Sequence, residues 1–297
     1  MPAFVTRFAP SPTGLLHLGH AFSALTAWTR AERESGRFLL RIEDIDAGRC
    51  RERFVAAIFA DLAWLGIRWE QRVRRQSRHL ADYRAALARL EEAGLVYPCV
   101  CTRKEVAAEL AAMGMAPHGS GVSRYPGTCR RNRRRAERLI AEGRTWALRL
   151  DLAAALNRLA RRGREELAWM EEGAGPVPLD PALVGDVVLA RKDVPTSYHL
   201  SVVVDDALQG VTHVIRGADL KEATHVHRLL QALLDLPSPV YHHHRLLLGP
   251  DGRRLAKRDG ATTLHDLRLS GMTAAEVRRR LGFAPAAPVR SILSEPS

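Results

Sequence analysis

RFAPSPTGLLHLGH, residues 7–20, is the stretch on which the fold turns. It grows out of a short apolar run, AFVTRF at residues 3–8, whose extended character ends at Pro10 and Pro12. Beyond it the apolar spacing becomes helical from Leu18 to Glu34. A strand that passes through a Pro/Gly-rich loop into a helix start makes an anion site. The first backbone N–H groups of the helix lack partners and point outward, and the helix dipole adds positive potential there. His17 and His20 place imidazole donors at that start, where a triphosphate could be touched. Gly19, without a side chain, lets a flat base approach the backbone. Two histidines at a helix end are also commonplace polar residues, so the rest of the chain has to decide between the two.

Working outward, residues 38–43 (FLLRIE) predict a second strand, and helical patterns follow at Cys50–Leu65 and Ser77–Ala93. This alternation predicts an α/β fold on a Rossmann-like parallel sheet. The texture changes near Tyr97. Residues 98–175 carry three cysteines, a Gly/Ser/Pro stretch from Met115 to Gly127 and a basic run, Arg130–Arg138, and are expected to form an insertion. Sheet-like texture returns at Asp186–Ala190. A helix (Tyr198–Leu208), a strand (Thr212–Arg216), a helix (Glu222–Leu234) and a strand (240–248) come next. The loop GPDGRRLAKRDGA (249–261) leads into a short helical part, Ala274–Leu281, and a loosely ordered end. The expected division is a catalytic domain of two halves (1–97 and 176–240), an inserted metal-binding subdomain (98–175) and a C-terminal loop-and-helix part (241–297).

The chain has 297 residues, 46% hydrophobic and 26% charged, enough to bury a core without disulfides. No apolar run is long enough to span a bilayer and the N-terminus lacks signal-peptide character, so a soluble cytoplasmic protein with no membrane partner is expected. A formal net charge of +12 attracts polyanions, with nucleic acid the natural partner; an arginine-rich coding bias would give the same charge. Cys99, Cys101 and Cys129 offer three soft ligands where tetrahedral zinc needs four. His118, Tyr125 or a water could be the fourth. Cys50 falls in a helical pattern and reads as a core thiol. His242, His243 and His244 are adjacent in a strand and point to alternate faces, which argues against a metal set. No G-x-G-x-x-G follows the first strand, which argues against a general dinucleotide binder.

Two motifs carry a resemblance. RFAPSPTG-x-x-HLGH closely resembles the signature of class I aminoacyl-tRNA synthetases of the glutamyl/glutaminyl branch, with HLGH in place of the HIGH motif. Far downstream, RRLAKRDGA (253–261), preceded by GPDGRR, resembles the KMSKS loop of that family. Lys257 matches its catalytic lysine, and Ala256 stands where serine is frequent. A mobile lysine can stabilise the charge that builds on departing pyrophosphate. The resemblance implies ATP bound by His17, Gly19, His20 and Lys257, with Mg²⁺ on the phosphates, and catalytic roles for His17, His20 and Lys257. A glutamate pocket needs arginines for carboxylates and an acid for the ammonium. By matching, that pocket would comprise Arg7, Phe8, Ala9, Pro10, Ser11, Glu43, Tyr198 and Arg216. The pattern Cys-x-Cys…Tyr-x-x-x-Cys implies that Tyr125 joins Cys99, Cys101 and Cys129 on one structural zinc ion.

Full-length glutamyl-tRNA synthetases continue into an anticodon-binding domain, whereas this chain ends about 40 residues after Lys257. In that it resembles a short branch, the glutamyl-Q tRNA(Asp) synthetases. The resemblance implies an enzyme that activates L-glutamate with ATP in the absence of tRNA and passes it to queuosine at the wobble position of tRNA(Asp); a monomer is expected. The basic run RRNRRRAER (130–138) would grip tRNA phosphates or be a solvated helix face. Two other functions remain open: a truncated glutamyl-tRNA synthetase charging tRNA(Glu), and a non-catalytic tRNA-binding paralogue.

Overall fold

The computed structural model describes residues 3–112, 125–247 and 262–285. Among them the strands, in chain order, are β1 (Val5–Phe8), β2 (Arg37–Ile42), β3 (Arg74–Arg75), β4 (Val96–Cys99), β5 (Ala147–Leu150), β6 (Ala168–Glu171), β7 (Gly175–Pro178), β8 (Val188–Arg191), β9 (His213–Gly217) and β10 (Val240–His244). β1, β2 and β3 pair in parallel, as do β9, β10 and β6, and β7 closes the second group as an antiparallel edge. The two groups adjoin where the Thr212 N–H donates to the Val5 carbonyl at 3.0 Å.

Burial on both faces explains the apolar run FLLRI of β2; β1, VTRF, is buried throughout although it carries Thr6 and Arg7. Phe38, Leu40 and Ile42 of β2 face a core shared with the helix Leu18–Arg33, while Leu39 turns the other way to Trp169, Val214 and Tyr241. The helix buries Ala21, Ala24, Leu25, Ala27 and Ala31, mostly small side chains that bring its axis close to the sheet. The C-terminal ends of β1, β2 and β9 then share one edge, where open α/β sheets hold ligands.

β4, β5 and β8 form a separate antiparallel sheet. The junction expected at 175/176 falls inside the β6–β7 hairpin, where Glu171 is opposite Gly175, and β6 pairs with β10. Residues 168–178 therefore sit in the sheet of β9 and β10. β8, expected in the catalytic half, pairs with β5. Strands of four residues bounded by turns carry too little periodicity for their partners to be read from sequence. No helix among the described residues is long and apolar enough to cross a membrane.

Candidate functional site

A cavity of about 440 Å³ opens on that strand edge. Its lining includes Arg7, Phe8, Ala9, Pro10, Ser11, His17, Gly19, His20, Glu43, Tyr198 and Arg216. The described residues expected to meet glutamate and ATP are thus brought to one place. Lys257 and Ala256 lie outside the described residues, as does His118. The described flanks of that loop nevertheless reach the cavity. Leu246 and Leu247 line it, and Thr263 bridges to His17 while the Leu264 N–H donates to the Leu16 carbonyl at 2.8 Å.

His17 caps the helix Leu18–Arg33. Its Nδ1 accepts from the Gly19 N–H at 3.1 Å, and the His20 Nδ1 accepts from the His17 N–H at 3.2 Å. With both Nδ1 atoms accepting, a neutral ring at either position carries its proton on Nε2. The two rings lie 3.8 Å apart at a tilt of 39°. A Cβ on Gly19 would come within 2.9 Å of the His17 ring, so this glycine also makes room for the cap.

The floor of the cavity is a buried charge array. The Arg7 Nε donates to Asp206 Oδ1 at 3.1 Å; Arg41 donates to the same oxygen at 2.7 Å and to Glu43 Oε1 at 3.2 Å. Asp205, next to Asp206 on the helix Tyr198–Leu208, accepts from Arg74, Gln76 and Tyr83. Burial pushes the Glu43 carboxyl up, against the pull of Arg41 and Arg7. Burial acts on Asp206 in the same sense, but Arg7 and Arg41 outweigh it and hold the carboxyl below its usual range. Arg41 and Asp206 were not singled out by sequence. Their signal is two acids following a valine run in SVVVDDALQ (201–209), because acids in a buried apolar helix require cationic partners.

Arg216, near the end of β9, is held from several sides. It donates to Tyr198 Oη (3.3 Å), His227 Nδ1 (3.2 Å), His243 Nε2 (3.2 Å) and Thr224 Oγ1 (2.8 Å). His227 and Thr224 also escaped sequence reasoning, since nothing in a motif marks them, and sequence weighs His243 only as a metal ligand. His242 pairs with Glu172 and His243 with Glu171, so the histidine run does not converge on one point.

A second cavity, about 560 Å³, shares Ser11, Thr13, Glu43 and Tyr198 with the first. It runs past Arg49, Arg149 and Arg191 to Tyr125, whose ring lies 3.9 Å from the Arg149 guanidinium. Beyond it stand the cysteines. The Sγ atoms of Cys99, Cys101 and Cys129 lie within 4.8 Å of one another. The Tyr125 hydroxyl is 3.3 Å from both Cys99 and Cys101. Zn–S bonds of about 2.3 Å in a tetrahedron set sulfurs about 3.8 Å apart. Against that, the Cys101–Cys129 separation is 3.5 Å. Three thiols and a phenol gathered within contact distance fit a zinc ion, for which Cys99, Cys101, Cys129 and Tyr125 would be the donors. Burial pushes the Cys101 thiol up to about 12; at Cys129 burial acts in the same sense but is outweighed by hydrogen bonds from Tyr125, the Val100 backbone, Cys101 and Cys99, which together lower it.

The sequence profile of the tRNA synthetases class I (E and Q), catalytic domain, matches residues 3–290, so the parallel sheet with its histidine-capped helix start and the cavity at its C-terminal edge are those of a class I aminoacyl-tRNA synthetase catalytic domain. The glutamyl-Q tRNA(Asp) synthetase of Rhodobacter capsulatus is 51% identical over 281 residues, covering 94% of this chain and 100% of the relative. That of Symbiobacterium thermophilum is 46% identical, covering 93% and 85%. A glutamate tRNA ligase from Elizabethkingia meningosepticum, solved in complex with its amino acid, superposes with a TM-score of 0.69 at 28% identity over 87% of this chain; the chain spans 52% of that ligase. The chain belongs to the glutamyl-Q tRNA(Asp) synthetase family and is a ligase of the class I aminoacyl-tRNA synthetase type.

Proposed function

We propose that the protein activates L-glutamate with ATP, without tRNA, and transfers it to the queuosine base at the wobble position of tRNA(Asp). The supporting observation is that Arg7, Glu43 and Arg216 line the same cavity as the His17/His20 helix start. Glu43 takes the α-ammonium and the arginines take carboxylates. The α-carboxylate oxygen attacks the ATP α-phosphorus in line and pyrophosphate leaves with the bonding pair. His17, His20 and, in this proposal, Lys257 stabilise charge on the phosphates, with Mg²⁺ arriving on ATP; the chain supplies alignment and electrostatics. A cyclopentenediol hydroxyl of queuosine then attacks the glutamyl carbonyl carbon. AMP leaves, and its phosphate is placed to take the hydroxyl proton.

The second cavity, which shares Glu43 and Tyr198 with the first, would receive the incoming nucleoside. Zinc on Cys99, Cys101, Tyr125 and Cys129 would be structural, tying the inserted segment to β4, and no step of the reaction passes through it. Pyrophosphate exchange with glutamate, aspartate and glutamine, without tRNA, tests the first step, and exchange is expected with glutamate. Transfer is expected to tRNA(Asp) containing queuosine and not to tRNA(Asp) lacking it. Exchange that requires tRNA(Glu), or glutamate attached to tRNA(Glu), would overturn the proposal.

A further inference from the structure

The two arginines of the amino-acid cavity are kept in different ways. Arg7 has its charge countered by Asp206. Arg216 is only 5% exposed, and among the described residues no carboxylate lies within ion-pair distance of it. Its polar contacts are a phenol, a threonine hydroxyl and two imidazoles, and the Tyr241 ring lies 5.3 Å away. A buried cation without a counter-charge is unfavourable unless an anion arrives.

The hydrogen bonds fix which form each imidazole takes. A guanidinium only donates, so the His227 Nδ1 and the His243 Nε2 must both present lone pairs. The His243 proton is then on Nδ1 and is donated to Glu171 Oε2 at 2.7 Å. Glu171 also accepts the His243 backbone N–H at 3.0 Å and the Trp169 indole N–H at 3.3 Å. The His227 proton is on Nε2, 3.2 Å from the His199 Nδ1. Burial, reinforced by Arg216, keeps these rings neutral: it lowers His227 well below its ordinary value and brings His199 and His243 to about 4, the latter despite Glu171.

We propose that His227 and His243 are specificity-determining positioning residues. They hold Arg216 by neutral acceptors, with Glu171 and His199 setting their tautomers, so that the full guanidinium charge faces the substrate. The α-carboxylate of the amino acid must turn to the phosphate and its ammonium to Glu43. The side-chain carboxylate is left for Arg216, and an uncharged side-chain amide is rejected. This inference rests on the glutamate reading of the cavity.

Pyrophosphate exchange with glutamate and with glutamine, on the full chain, tests it. His227→Gln keeps a neutral acceptor, and the preference for glutamate is expected to survive. His227→Glu puts a carboxylate on Arg216. The glutamate-over-glutamine ratio of kcat/KM is expected to fall roughly tenfold to a hundredfold, the worth of a charge-assisted hydrogen bond, with the KM for ATP unchanged. A folded His227→Glu enzyme that keeps the wild-type ratio overturns the inference. If that variant does not fold, His227→Leu decides. It removes one acceptor without adding charge, and an unchanged KM for glutamate overturns the inference in the same way. Wild-type enzyme that shows no glutamate-dependent exchange would instead sink the assignment of the cavity.

Discussion

An arginine and a glutamate lining one small cavity would collapse onto each other unless something held them apart, and Arg41 does so for Arg7 and Glu43. It is fully buried and donates to both Asp206, which anchors Arg7, and Glu43. Burial disfavours its charged form, but Asp206, Glu43 and Asp205 together raise its pKa above the ordinary arginine value. Arg41→Met would strand buried carboxylates, at a cost of about 3–5 kcal/mol, and a large drop in Tm is expected. Arg41→Lys keeps the charge but loses the planar fork. It is expected to raise the KM for glutamate about tenfold or more while leaving the KM for ATP near wild type in exchange assays; equal changes in both would reject a positioning role. Arg7, Glu43 and Arg216 could be picked out because each stands beside a motif. Arg41 and Asp206 could not be paired, because they meet across 165 residues of sequence and neither position signals the other.

At the scale of elements, helices and strands built on strong periodicity were legible: Tyr198–Leu208 has the expected bounds. The β6–β7 hairpin and the β4–β5–β8 sheet were not, since their pairing is set by packing rather than pattern. Two elements carry testable strain or dependence. In the helix Glu52–Trp64, Asp61 is fully buried and neither carboxylate oxygen has a hydrogen-bond partner among the described residues. Burial raises its pKa, opposed by Arg268 and His265 of the helix Leu264–Leu269. With the folded pKa above the unfolded one, the group favours folding at low pH, and that contribution disappears as pH rises through the folded pKa. Asp61→Asn is therefore expected to raise Tm at pH 8, by the equivalent of about 1–3 kcal/mol, and to change it little at pH 4. A gain independent of pH would contradict this. For the cysteine cluster, metal analysis is expected to find zinc, with Cys129→Ser or chelation lowering Tm. An unchanged melt after chelation would reject a structural metal.

For the whole molecule, the proposed reaction has two steps and the structure has two cavities that share a wall. Ser11, Thr13, Glu43 and Tyr198 belong to both walls, so under the proposed function an acyl group formed in the first cavity would lie against the wall of the second. The net charge of +12 favours a polyanionic acceptor but does not say where it approaches. Two arginines that line the second cavity, Arg49 and Arg191, are exposed, and Arg191 ends β8. That β8 lies against β5 rather than in the parallel sheet is what puts Arg191 there, and this was the part of the topology hidden from sequence. If the acceptor enters through the second cavity, Arg191→Ala should lower kcat/KM for transfer to queuosine-containing tRNA(Asp) roughly tenfold, the scale of one charged contact. It should also reduce the salt dependence of tRNA binding. Glutamate-dependent pyrophosphate exchange should stay unaffected, because no polar group of the first cavity changes. Parallel loss of exchange and transfer would mean that the two cavities act as one site. Unaltered transfer would mean that the tRNA reaches the adenylate by another face.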